Sequence, residues 1–87
     1  NFNKRIKMKL KKSFGKRHGY GTSVHVAFII ETMYKKRAGA MKDIFIEATV
    51  DRDGIRDVSL RENGTNDLLS IEQIDKLALY EIIINKL

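Results

Sequence analysis

The stretch from Lys4 to Ser23 reads KRIKMKLKKSFGKRHGYGTS. It carries eight Lys or Arg side chains and no carboxylate. Cations at this density attract polyanions: nucleic-acid phosphates, an acidic protein or an anionic surface. Arg5, Lys7, Lys9 and Lys11 share one parity, while Ile6, Met8 and Leu10 share the other. On a strand, those four cations would stand about 6.6 Å apart along one face. Such a row can follow a phosphate backbone. Each neutralised phosphate then releases counterion and steepens the salt dependence. Two or three lysines would need no ligand, since lysine on an edge strand blocks edge-to-edge pairing. Eight cations without an acid exceed that need.

Lys12 adds a further cation, and the run FGKRHGYG follows. Glycines at 15, 19 and 21 would let backbone N–H groups approach an anion, with Lys16 and Arg17 adding charge. Tyr20 and Phe14 offer rings on which bases can stack, or packing residues at a hairpin base. The Gly-Lys-Ser/Thr ending of a Walker A loop is missing. His18, beside Lys16 and Arg17, has the chemistry of an acid or base for RNA cleavage, with the cations stabilising phosphorane charge. No second catalytic group stands at a diagnostic spacing from it. A non-enzymatic role is therefore the expectation, with His18 the one catalytic candidate.

Metal chemistry finds little support. The chain has no cysteine and two histidines, His18 and His25, neither beside a carboxylate in sequence, so no zinc site is expected. Asp51 and Asp53 lack the downstream Glu of a calcium loop, and Arg52 and Arg56 intrude. No metal or cofactor is expected.

Charge is distributed unevenly along the 87 residues, whose net charge is +6. Residues 1 to 42 hold twelve Lys or Arg and one acid, Glu31; residues 43 to 87 hold five Lys or Arg and ten acids. The two parts thus carry +11 and −5. Such asymmetry points to a polar partner, with Lys35, Lys36 and Arg37 as a second basic patch. The acidic part would orient the basic part towards a polyanion. No apolar run approaches the roughly 20 residues of a membrane span. Absence of cysteine and of a signal-peptide pattern favours the cytoplasm.

The elements that must position these side chains follow from periodicity. The first segment, to Phe14, alternates as a strand, against a rival basic helix with Phe2, Ile6, Leu10 and Phe14 at i, i+4. Gly15 to Ser23 reads as a loop. Thr22 to Arg37 supports two readings: a strand through Val24, Val26, Phe28 and Ile30, rich in β-branched residues, or a helix with Val26, Ile29, Ile30, Met33 and Tyr34 on one stripe. The strand is the expectation. Residues 43 to 60 alternate on either side of Asp53-Gly54, a hairpin signal. A helix is expected from Ser70, whose hydroxyl with Gln73 forms a capping box, and Leu69 and Ile74 suit a hydrophobic staple.

The sequence thus predicts one α+β domain over residues 1–87: about four antiparallel strands with a C-terminal helix on one face, or βαββα order if the second segment is helical. The expected function is nucleic-acid binding, to DNA or RNA, through Arg5, Lys7, Lys9, Lys11, Lys12, Lys16, Arg17, Tyr20, Lys35, Lys36 and Arg37. A protein-binding regulator or inhibitor docked on an acidic protein is the alternative, and a ribonuclease using His18 the third. Apolar residues nearly all round the last helix predict a homodimer through Tyr80, Ile83 and Leu87.

Overall fold

The computed structural model describes residues 8–33 and 41–87. Arg5, Lys7, Lys35, Lys36 and Arg37 lie outside the described residues. Five antiparallel strands follow one another across a single sheet in chain order: β1 (Met8–His18), β2 (Val24–Met33), β3 (Met41–Asp51), β4 (Gly54–Glu62) and the short β5 (Leu68–Leu69). A 3-10 turn (Ile71–Gln73) and the helix α1 (Lys76–Asn85) complete the chain. The architecture is a small α+β fold with one strand more than expected.

β2 settles the choice between strand and helix for its segment. Val26, Phe28, Ile30 and Thr32 are buried, and the residues between them are half-exposed. A helix would have put Ile29 and Ile30 on one stripe; here they lie on opposite faces of the sheet. β2 and β3 pair without interruption from Val24↔Val50 to Met33↔Met41. This ladder is the middle of the sheet. Its inner face supplies Val26, Phe28, Ile30, Ile44, Ile46 and Ala48, joined by Leu60 of β4 and by Ile74, Leu79 and Ile83 from the C-terminal segment. Each large side chain here gains about 1.5–3 kcal/mol from burial, which is why the helix docks on this face and leaves the other open.

β1 departs from simple alternation. Its register with β2 slips between Leu10 and Lys12 and again between Ser13 and Lys16. Each slip is a bulge, an extra residue that shifts every later side chain to the other face. Gly15 takes φ +84 within the second bulge, a conformation glycine adopts at little cost. The expected loop from Gly15 is therefore corrected: β1 runs on to His18, and only residues 19–23 connect it to β2. A third bulge sits in β4, where Glu47 pairs with Ser59 but Thr49 pairs with Arg56. Asp57 occupies it at φ 54. The β3–β4 hairpin turns at Arg52 and Asp53, with the Asp53 N–H donating to Asp51 Oδ1 at 2.8 Å.

The C-terminal helix starts later than expected. Ser70 and Gln73 do form the capping box, but around the 3-10 turn. Ile74 then becomes extended, and Asp75 caps α1 by accepting from the Ala78 N–H at 3.2 Å. Extension at Ile74 lets its side chain drop into the core while Leu79 and Ile83 enter it from α1. Ile83 is fully buried, so it cannot belong to an exposed stripe. The apolar residues facing outward are Leu77, Ile84 and Leu87, with Tyr80 half-exposed at their flank.

Candidate nucleic-acid interface

Partners in an antiparallel ladder project to the same face, so the registers give the open face row by row. One row holds Lys12, Ile29, Phe45 and Arg61. The next holds Ala27, Glu47 and Ser59, with Phe14 and Gly15 bulging opposite Ala27. A third holds Arg17, His25, Thr49 and Arg56. Rows are about 6.6–6.8 Å apart.

Two aromatic rings dominate this face. Phe14 meets Phe45 edge-on, with centroids 5.8 Å apart and an interplanar angle of 62°. Phe14 remains 51% exposed. The Lys12 ammonium lies 5.2 Å from the Phe14 centroid, and the Arg61 guanidinium lies 4.8 Å from that of Phe45. Rings and cations are thus interleaved on a solvent-facing surface. That contrasts with a packed interior, where cations would be excluded.

The expected basic residues part company. Lys9 stays on the open face opposite Glu31. Lys11 sits in the first bulge and forms an ion pair with Asp43 at 3.1 Å, so its charge is already neutralised. Lys12 takes the open-face place that simple alternation would have assigned to its neighbour. Lys16 pairs with Val26 and so lies on the helix side, where its ammonium donates to the Leu87 carbonyl. Of the cation row expected along β1, Arg5 and Lys7 lie outside the described residues, Lys9 keeps its open-face place and Lys11 falls in the first bulge. Arg17 rejoins the open face. Tyr20 is wholly exposed at the β1–β2 loop.

His18 pairs with Val24 near the sheet edge and borders a depression of about 420 Å³ together with Arg17, His25 and Glu47. Two further hollows lie along β2. One, about 300 Å³, is bounded by Phe14, Phe45, Arg17, His25 and Glu47 over Ala27. The other, about 560 Å³, lies between the β1–β2 loop and the β3–β4 turn and is bounded by Tyr20, Ser23, His25, Arg52 and Arg56. His25 borders all three. His25 Nε2 is 3.8 Å from Glu47 Oε2, and Arg56 holds Asp51 at 2.8 Å.

Sequence reasoning missed Phe45, Arg61 and Glu47. One signal was present: Phe45 is the aromatic residue on the polar parity of β3, between Asp43 and Glu47. Arg61 gave no such signal, because its position over Phe45 depends on the β3–β4 register. Among the described residues no helix is long and apolar enough to cross a membrane. Comparison with known proteins finds no match: no family model, no curated protein and no solved structure aligns with the chain.

Proposed function

We propose that this protein binds single-stranded nucleic acid on the open face of its sheet, without catalysing a reaction on it. The observation that carries the reading is the Phe14–Phe45 pair with Lys12 and Arg61 against its rings. Unstacked bases find aromatic faces there, and phosphates find cations beside them. A duplex hides its base faces and would leave the pair unused. Docking on an acidic protein needs the cations but not the rings. Lys9, Lys12, Arg17 and Arg61 have no carboxylate within ion-pairing distance among the described residues, so they are the phosphate ligands of this reading.

Fluorescence anisotropy with labelled random single-stranded 12-mers of DNA and RNA tests it. Alanine at Phe14 or Phe45 should weaken binding about 5- to 150-fold, the range for loss of one stacked base. Four phosphate contacts give a slope of log K on log salt near about −3. Equal binding by parent and both alanine variants, with heparin competing as well as oligonucleotide, would mean a general anion surface and defeat the proposal.

A further inference from the structure

We infer that the hollow over Ala27 is a nucleobase pocket selective for guanine, read by the Glu47 carboxylate. This rests on the nucleic-acid reading and adds base selectivity to it.

The hollow exists because two small residues make it. Ala27 forms its floor, and Gly15 leaves its β1 rim without a side chain. Phe14 bounds it on the β1 side and Phe45 bounds it one row along. His25 and Arg17 close the opposite end, and Glu47 stands directly across from Ala27. Lys12 and Arg61 lie over the rings but do not border the hollow. A flat heteroaromatic ring suits these walls, with aromatic contact on one side and a carboxylate at its edge.

Glu47 is otherwise hard to reconcile with a polyanion-binding face. A carboxylate repels phosphate. On this face Asp43 is neutralised by Lys11 at 3.1 Å and Asp51 by Arg56 at 2.8 Å, while Glu31, in register with Lys9 and Asp43, has no ion pair among the described residues. Glu47 has only the His25 imidazole at 3.8 Å, beyond hydrogen-bond distance. Both oxygens are therefore free to accept. A carboxylate accepts two parallel N–H donors well. Guanine presents two adjacent donors on its Watson–Crick edge, N1–H and the N2 amino group. Adenine and cytosine set one amino group beside an acceptor nitrogen, which a carboxylate repels. Uracil flanks its one N–H with carbonyl oxygens. Guanine alone among the four therefore gains from Glu47, and Arg17 in the next row takes the adjoining phosphate.

The test uses labelled octauridylate, and the same octamer with one central guanosine, inosine or adenosine. Binding is measured with the parent and with Glu47→Gln. The guanosine octamer should bind the parent about 5- to 150-fold more tightly than octauridylate, the range for a bidentate base contact. Inosine, lacking the N2 amino group, should fall between guanosine and adenosine. Glu47→Gln should bring all four within about twofold while still binding octauridylate. Equal affinity of the parent for all four octamers would overturn guanine selection and leave nucleic-acid binding standing. A guanosine preference that survives in Glu47→Gln would remove Glu47 from the role. Failure of every octamer to bind would instead defeat the nucleic-acid reading itself. The inosine comparison needs no variant, so it decides the matter even if a substitution disturbs folding.

Discussion

Phe14 and Phe45 touch edge to face at 5.8 Å although β2 separates their strands. The contact passes over Ala27, whose small side chain leaves room beneath both rings. It is possible because the first β1 bulge reverses the strand's parity and so puts Phe14 on the open face. The bulge, the alanine and the ring pair therefore form one device.

Filling that space should separate binding from folding. Ala27→Leu places a larger side chain on a half-exposed position, where stability should change by only about 0.5 kcal/mol. Oligonucleotide affinity should fall at least about tenfold, because the added side chain occupies the hollow. Anisotropy beside a urea melt checks both. Unchanged affinity in a stably folded variant would show that the hollow holds no ligand.

Two bulges can be tested through their backbone. Gly15→Ala should cost about 1–2 kcal/mol, the penalty for a left-handed Cβ-bearing residue. Nothing lies within 4 Å of a Cβ built there, so the cost would be conformational. Asp57, at φ 54, makes the converse case. Asp57→Gly should be neutral or stabilising, whereas Asp57→Val should cost about as much as the Gly15 change. Thermal melts of the three variants check these signs.

The helix face is open to the same comparison. Ile83→Ala removes a fully buried side chain and should cost about 2–5 kcal/mol. Ile84→Ala, at a position 57% exposed, should change stability by no more than about 0.5 kcal/mol. Similar denaturation midpoints for the two would mean that α1 presents a different face to the sheet.

Caps at the C-terminal segment carry a pH signature. Asp75→Ala should cost about 1 kcal/mol by releasing the first turn of α1. Glu72 is held below the ordinary carboxylate range, first by the Ser70 hydroxyl, then by its own backbone N–H and by Lys76. A depressed carboxylate stabilises the fold above its unfolded value near 4.5, and that contribution disappears as pH falls through the folded value. Ser70→Ala should return Glu72 towards ordinary titration. NMR titration of the Glu72 side chain in parent and variant checks the direction.

Periodicity and local chemistry alone determined much of this protein. The alternation of β2 and β3 marked the inner face, since burial of every second side chain leaves a period of two whatever the partner strand. Asp53-Gly54 marked the hairpin, and Ser70 with Gln73 marked a cap, because those features depend on residues a few positions apart. The open face of the sheet was less legible. The basic residues near the N-terminus were evident as a group, but their faces were not. A bulge needs a partner strand to be an extra residue against, so neither slip in β1 could be read from β1. The first slip brought Lys12 and Phe14 to the open face, and the second restored the original parity, leaving Lys16 on the helix side and Arg17 on the open one. Ile83 and Ile84 are chemically alike and adjacent, and only the late helix start at Asp75 decides which is buried. The pairing of Phe14 with Phe45, of Arg61 with Phe45 and of Glu47 with the hollow joins residues distant in the chain. Such contacts are set by strand register, which the packed core selects by burying one parity of β2 and β3 together.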